Sequence, residues 1–96
     1  MEIREFQEMI RELYFKKDAK RGVDKTFLWF VEEVGELAEV IRKGEREAME
    51  EEFADVLAWL SSLANLLGID LEKAAEKKYP GVCPYCGKNP CECEEH

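Results

Sequence analysis

The sequence predicts an all-α fold: a bundle of about four helices, completed by homo-oligomerisation and followed by a short irregular tail. Three observations lead to this prediction. Apolar residues recur at three- and four-residue spacing through most of the chain, which is typical of amphipathic helices. No run of β-branched residues alternates with polar ones, so a sheet is not expected. A chain of 96 residues buries only a modest core, which association between copies would enlarge.

The first predicted helix lies near the N-terminus and carries apolar residues at helical spacing: Ile3, Phe6, Ile10, Leu13 and Tyr14. The pattern then fades into a basic segment, KKDAKRG, which is expected to form a loop closed by Gly22. Asp24 is the expected N-cap of the second helix, because a short acidic side chain accepts hydrogen bonds from the first free N–H groups of a helix. That helix is expected to run to Gly44.

The third helix is expected from near Glu45 to Leu67, and Gly68 should end it in a left-handed conformation. Asp70 then has the position of an N-cap for a short fourth helix, which must end before Pro80. The helical domain is therefore expected to occupy about residues 1–79.

The charge balance narrows the classes of partner. Charged residues make up 38% of the chain and the net charge is −8, whereas binding to a nucleic-acid backbone requires a basic surface. A nucleotide remains compatible, provided that a cation lies between the acidic protein and the phosphates. The N-terminal segment is charged throughout and has no long apolar run. We therefore expect neither a secretory signal nor a membrane helix, and a cytoplasmic location.

Two pairs of carboxylates lie at the borders of apolar helix faces. Glu33 and Glu36 flank the apolar face of the second helix, and Glu52 and Asp55 flank that of the third. If the two faces meet, four carboxylates converge and repel one another, so protonation, basic partners or cations must neutralise them. Oxygen ligands with open positions suit Mg²⁺ or Mn²⁺. The alternative is that these are ordinary surface acids, which a Glu-rich chain supplies in number.

Two other kinds of site are disfavoured. A di-iron bundle requires Glu-x-x-His motifs, and the only histidine in the sequence is His96, at its end, which is either native or part of a purification tag. The sequence also has no glycine-rich phosphate loop of the Walker type.

The acidic residues also carry a family resemblance. The segments WFVEEVGELAEVIRKGE and EEFADVLAWLSSLANLLGIDLEKA resemble the MazG-like nucleotide pyrophosphohydrolases, the all-α NTP pyrophosphatases. The family signature is Glu-Glu-x-x-Glu, a spacer, and Glu-x-x-Asp. Glu32, Glu33 and Glu36 match its first part. Glu52 and Asp55 match its second part.

The resemblance, which covers about residues 26–79, implies an enzyme that hydrolyses nucleoside triphosphates to the monophosphate and pyrophosphate, with clearance of non-canonical nucleotides as one expected role. It implies that the four residues matching the family's metal ligands hold Mg²⁺: Glu33, Glu36, Glu52 and Asp55. It also implies that protomers form homodimers or homotetramers. Water activated by the metal would attack the α-phosphorus. Glu32 or Glu36 would act as the base that orients this water, and the choice between them stays open.

Three further residues are candidate substrate contacts. Lys25 lies two turns before the acidic pair of the second helix and is a candidate ligand for the triphosphate. Trp29 and Trp59 each lie beside an acidic pair and are candidates for stacking on the base. The alternatives are a solvated lysine and two tryptophans that pack in a core or a subunit interface.

The segment over residues 80–96 is expected to be a separate cysteine-rich tail. Cys83-Pro-Tyr-Cys86-Gly resembles a zinc knuckle, and Cys91-x-Cys93 supplies a second pair of thiols. Four thiolates around one Zn²⁺ would form a structural site rather than a catalytic one. Two disulfides, an iron–sulfur cluster and four free thiols are the alternatives.

A second reading of the whole chain belongs to another class. An acidic helical dimer with a zinc-binding tail is also suited to recruiting another protein without catalysis. Turnover of a nucleotide with Mg²⁺ distinguishes the two readings.

Overall fold

The structure is a computed structural model that describes residues 1–95, so His96 lies outside the described residues. None of residues 1–95 forms a strand, and the predicted all-α class is confirmed. The four helices are α1 (Ile3–Arg21), α2 (Val23–Lys43), α3 (Arg46–Leu67) and α4 (Leu71–Lys78).

The junction between α1 and α2 differs from the prediction. The basic segment expected to form a loop is the last turn of α1, where the Arg21 guanidinium donates to Asp18 Oδ1 at 2.8 Å. Lysine, alanine and arginine are good helix formers, so only Gly22 interrupts the two helices. Gly22 has φ +88° and is itself the N-cap of α2. The prediction of Asp24 as N-cap is wrong: Asp24 lies in the first turn, where its charge favours the helix dipole.

The later boundaries follow the predictions closely. Gly44 ends α2 with φ +74° and Gly68 ends α3 with φ +67°, conformations that only glycine adopts readily. The Asp70 carboxylate accepts a hydrogen bond from the Lys73 N–H at 3.1 Å and thereby caps α4. From Tyr79 to the last described residue the chain is neither helical nor extended in a sheet, which confirms the irregular tail.

The third helix is the centre of the fold. It packs against both α1 and α2, and five consecutive residues, 61–65, are buried. Burial of five consecutive residues requires neighbours on several sides of the helix, and α3 contacts both α1 and α2. The buried apolar residues Leu63 and Ala64 of α3 are joined by Ile10 of α1.

A buried amide pair holds α1 to the turn between α3 and α4. The Gln7 side-chain amide donates to Asn65 Oδ1 at 3.0 Å and to the Ile69 carbonyl at 2.7 Å. Its oxygen accepts from the Leu71 N–H at 2.9 Å. Asn65 donates back to the Gln7 carbonyl at 3.2 Å. Because both amides are satisfied, their burial costs little and fixes how α1 docks.

Much of the apolar surface predicted for α2 and α3 is not covered within one chain. One stripe on each helix remains exposed, and Phe27 and Phe53 keep 51% and 59% of their surface in solvent. We refer to these residues as the exposed apolar stripes: Phe27, Val31, Val34 and Ile41 on α2, and Phe53, Leu57, Leu60 and Leu67 on α3. Exposed apolar surface of this kind is uncommon on a monomer.

No single helix within residues 1–95 is both long and apolar enough to cross a membrane. Taken together, α3 and α4 have the length and apolar composition of such a helix, but the chain bends by 96° between them.

Candidate active site and metal centres

Three of the predicted metal ligands come together between α2 and α3. Each of Glu33, Glu36 and Glu52 offers a carboxylate oxygen, and these oxygens lie within 4.8 Å of one another. Glu33 and Glu36 are one turn apart on α2, so their side chains point the same way. Packing of α3 beside α2 brings the third carboxylate to them. We call these three residues the acidic cluster.

Two oxygens of the acidic cluster have no hydrogen-bond partner. Glu33 Oε2 and Glu52 Oε2 are both buried and unpaired. An ionised carboxylate without a partner is costly to bury, so either a proton or a cation must compensate the charge. The donor set is made only of oxygens, which fits a hard divalent cation.

The proton affinities of Glu33 and Glu52 are correspondingly high. Burial raises the pKa of Glu52 to about 7, and hydrogen bonding and charge repulsion from Glu33 and Glu36 act in the same direction. Burial also raises the pKa of Glu33, and the charges of Glu36 and Asp55 add to that effect. The cluster thus resists carrying its full negative charge in the absence of a cation.

Asp55, the fourth predicted ligand, lies at the edge of this arrangement. It is one helical turn beyond Glu52 on α3, and its charge reaches Glu33. It is not one of the three residues whose oxygens lie within 4.8 Å of one another. Instead, Asp55 lines a cavity between α1 and α3.

The two tryptophans stack on each other. The ring centroids of Trp29 and Trp59 are 5.7 Å apart and the rings are nearly parallel, at 13°. The Arg21 guanidinium lies over the Trp59 ring, 4.8 Å from its centroid. The pair therefore joins α2 to α3 beside the acidic cluster, and a cation covers part of the second ring.

The cavity next to Asp55 has a volume of about 340 Å³. Pockets that hold small ligands begin at about this size. The cavity combines cationic, acidic, aromatic and hydroxyl groups: Tyr14, Lys17, Asp18, Arg21, Asp55, Ala58, Trp59 and Ser62.

The contribution of α1 to this cavity was missed by sequence reasoning. Tyr14, Lys17, Asp18 and Arg21 have the spacing i, i+3, i+4, i+7, which places them on one face of a helix. The sequence contains this spacing, but a loop was expected over the segment, so these four residues were not predicted to share a helix face. The predicted contact Lys25 lies apart from this face, in a shallow depression of about 130 Å³ that it shares with Leu28, Trp29 and Glu32.

Asp18 is the most deeply buried charge in the cavity wall, with 2% of its surface exposed. Its Oδ1 accepts from Arg21, while its Oδ2 has no partner. Arg21 also donates to the buried Thr26 hydroxyl at 3.2 Å, which connects the end of α1 to the start of α2. Arg21 therefore serves three neighbours at once, since it also covers Trp59.

The family comparison agrees with this geometry. The model of the MazG nucleotide pyrophosphohydrolase domain matches residues 21–87, which is more than half of the chain. The chain belongs to this family. Membership identifies a nucleotide pyrophosphohydrolase-type enzyme at the family level, and MazG enzymes generally use a divalent metal. A comparison with curated proteins finds no match.

The MazG match ends between the two cysteine pairs of the tail, at Gly87. All four thiols of the tail are free, and their sulfur atoms lie within 4.8 Å of one another. Cys83 Sγ is 3.8 Å from Cys93 Sγ, and Cys86 Sγ is 4.0 Å from Cys91 Sγ. We call these four residues the cysteine cluster, which has the composition of a metal site.

Backbone N–H groups and neighbouring thiols act on the cysteine cluster in opposite directions. Hydrogen bonds from the N–H groups of Glu92 and Lys88 lower the pKa of Cys86 to about 6. Hydrogen bonding with Cys91 and Cys86 raises the pKa of Cys93 to about 12. The four thiols therefore do not all ionise near neutral pH unless a cation is present.

Proposed function

We propose that this MazG protein hydrolyses nucleoside triphosphates to the monophosphate and pyrophosphate, and that the reaction depends on Mg²⁺ or Mn²⁺ at the acidic cluster. One observation carries the proposal: two buried carboxylate oxygens, on Glu33 and Glu52, lack partners beside a third carboxylate. They lie near a cavity with cations and an aromatic wall. Thiolates suit zinc, so Zn²⁺ is proposed for the cysteine cluster.

The acidic cluster and Asp55 are the proposed metal ligands. When bound, the cation neutralises phosphate charge and lowers the pKa of a water molecule. The orphaned oxygens of Glu33 and Glu52 are directed inward and already held by helices, so binding requires little rearrangement. Glu36 is more exposed than these two residues and is proposed to face the incoming phosphates.

Two carboxylates of α2 are candidates to accept a proton from the attacking water. Glu36 belongs to the acidic cluster, whereas Glu32 lies one turn after Leu28 on the side of Lys25. If a carboxylate only orients the water, the protein keeps its metal affinity when that residue is changed to the amide. If the carboxylate binds the metal, the same change lowers the metal affinity. Metal affinities of Glu32→Gln and Glu36→Gln therefore separate the two roles.

The nucleoside is proposed to occupy the cavity between α1 and α3. Trp59 lines this cavity although Trp29 and Arg21 already contact its ring, and Lys17 and Arg21 supply positive charge in the wall that holds Asp55. Because triphosphate hydrolysis depends mainly on positioning and electrostatics, cations beside the metal ligands are the groups it requires. Lys25 lines a separate depression together with Trp29 and is proposed to contact the outer phosphates, whereas Trp29 stays a proposed contact of the base.

A second copy of the chain is proposed to cover the exposed apolar stripes. Phe53 follows Glu52 directly in α3, so a partner seated on these stripes also lies close to the acidic cluster. Burying each large apolar side chain contributes about 1.5–3 kcal/mol, which favours a homodimer or homotetramer over the single chain.

The decisive experiment uses purified protein, Mg²⁺ and a panel of ribo-, deoxyribo- and modified nucleoside triphosphates. Monophosphate and pyrophosphate are expected in equal amounts from at least one of them. In ¹⁸O-labelled water the label should enter the monophosphate, because attack is at the α-phosphorus. Pyrophosphate from none of the nucleotides would contradict the proposal and favour an adaptor. Label found only in pyrophosphate would contradict the point of attack.

A further inference from the structure

The tail over residues 80–95 has too little internal structure to account for its fold. Two backbone hydrogen bonds close its first turn, from Gly87 N–H to the Cys83 carbonyl at 2.8 Å and from Cys83 N–H to the Lys88 carbonyl at 2.9 Å. Its largest apolar side chain, Tyr85, is 75% exposed. A segment of this length without a core requires a crosslink or a metal to stay folded.

The sulfur positions match a tetrahedral ion. A regular tetrahedron with Zn–S bonds of about 2.3 Å has sulfur atoms about 3.8 Å apart. Two of the separations in the cysteine cluster are 3.8 Å and 4.0 Å, and all lie within 4.8 Å. One ion at the centre is thus within bonding reach of the four sulfurs after small shifts.

We propose that the cysteine cluster of a single chain binds one Zn²⁺ in a closed structural site, and that this ion folds residues 80–95 onto the end of α4. Four thiolates fill the coordination sphere of zinc and leave no position for water or substrate. The ion therefore has no part in hydrolysis. The inference is independent of the proposed activity.

Backbone groups support the sulfurs in the way that metal thiolates require. Tyr85 N–H points at Cys83 Sγ at 3.4 Å. In the second pair, the N–H of Cys93 points at Cys91 Sγ at 3.3 Å. Such N–H groups offset part of the negative charge that four thiolates keep after binding a divalent ion. Gly87 makes the turn possible, because its φ of +74° is left-handed.

The tail is attached to the helical domain through α4. The Lys78 ammonium, in the last turn of α4, lies 4.9 Å from the centroid of the Tyr85 ring. Tyr85 lies between the first two cysteines, so an ion that orders their turn also holds this ring over the lysine. Zinc binding is thereby coupled to the position of the chain end on α4.

Other uses of four cysteines fit less well. A disulfide joins sulfurs about 2.05 Å apart, and the closest pair would have to approach much further. An iron–sulfur cluster places several atoms between its thiolate ligands, which would spread the sulfurs beyond their present separation. Mononuclear iron shares the tetrahedral geometry and is separated from zinc by its colour and by metal analysis.

The test measures metal content and thiol reactivity in the full chain, purified under reducing conditions without added metal. One zinc per chain and four thiols that react only after a chelator is added are expected. Hydrogen exchange should show residues 80–95 protected with zinc and unprotected after chelation, while α2 and α3 keep their protection. Replacement by Co²⁺ should give the charge-transfer absorption of thiolate ligands.

A pair of variants controls for nonspecific binding. Cys86→Ser should lose more than about tenfold in zinc affinity, whereas Tyr85→Phe, in the same turn, should keep one zinc per chain. Several outcomes would overturn the proposal: four thiols that react freely in a zinc-free protein, two disulfides, bound iron, or half a zinc per chain, which indicates a site shared between copies. Unchanged exchange in residues 80–95 after chelation would refute the role of zinc in folding.

Discussion

The acidic cluster and the cysteine cluster are both sets of side chains brought within 4.8 Å of one another, but the chain builds them in opposite ways. The carboxylates are held by two long helices, whose packing keeps them close together although their charges repel. The thiols lie on turns that have little other support. We infer that the first site exists before its metal arrives and that the second forms with its metal.

The difference extends to what each site leaves open. The acidic cluster has three carboxylates and two unpartnered oxygens, and its neighbour Asp55 lines a cavity, so the proposed metal site leaves room for a substrate. The cysteine cluster offers four ligands with supporting N–H groups and is complete without a substrate. Ligand number and scaffold are thus the features that separate the proposed catalytic site from the proposed structural one.

Substitution of an acidic ligand should have the largest effect. Glu52→Gln is expected to lower turnover by more than about a hundredfold while zinc content is unchanged, because it removes a ligand from only one of the two sites. Glu51→Gln changes the preceding exposed acid and is the matched control, with turnover near that of the unmodified chain. Steady-state kinetics and metal analysis measure both. Wild-type turnover in Glu52→Gln would break the comparison.

Replacement of Arg21, whose guanidinium lies beside the buried carboxylate of Asp18, should lower the stability of the fold. Arg21→Ala leaves Asp18 without its partner and is expected to lower the free energy of unfolding by about 3 kcal/mol. Denaturant titration measures the loss. Because the cost comes from the unpaired charge, adding Asp18→Asn to this variant should restore part of it. A loss that is equal in the single and double variants would show that Arg21 acts through Thr26 and Trp59 and not through the charge of Asp18.

An acidic residue on the exposed apolar stripes should separate the copies. Phe53→Asp is expected to shift the protein to a single chain in sedimentation experiments, because a charge cannot be buried in an apolar contact. The exposed polar position Glu50→Asp is the control and should leave association unchanged. Zinc content should stay at its original value in both. If the unmodified protein sediments as a single chain, the proposed association is wrong.

The smallest effect concerns pH. Burial raises the pKa of Glu52 from 4.5 to about 7, so the folded, metal-free chain holds this proton more tightly than the unfolded chain. The resulting stability is fully present below pH 4.5 and is lost as the pH rises through about 7. A divalent cation takes the place of the proton. Mg²⁺ should therefore raise Tm by more at about pH 8 than at about pH 5.5, measured by thermal unfolding. An equal increase at both values would refute the linkage.

Local spacing accounts for what could be predicted from the sequence. The i, i+3 pairs of acids, the glycines after α2 and α3, and the cap at Asp70 depend only on neighbours within a turn or two. The cavity could not be predicted in the same way. It requires α1 to continue through Arg21 and to dock on α3, and that docking is decided by Gln7 and Asn65, which are 58 positions apart.

The same docking has a consequence for synthesis of the chain on the ribosome. Gln7 is synthesised well before its partners Asn65 and Leu71, which follow 58 and 64 positions later. The hydrogen bonds that dock α1 therefore cannot form until nearly the whole helical domain has been translated. Contacts so distant in sequence slow the final step of folding. A truncated chain that lacks these partners cannot complete that step. An incomplete chain that ends before Asn65 would keep α1 undocked and exposed to proteolysis.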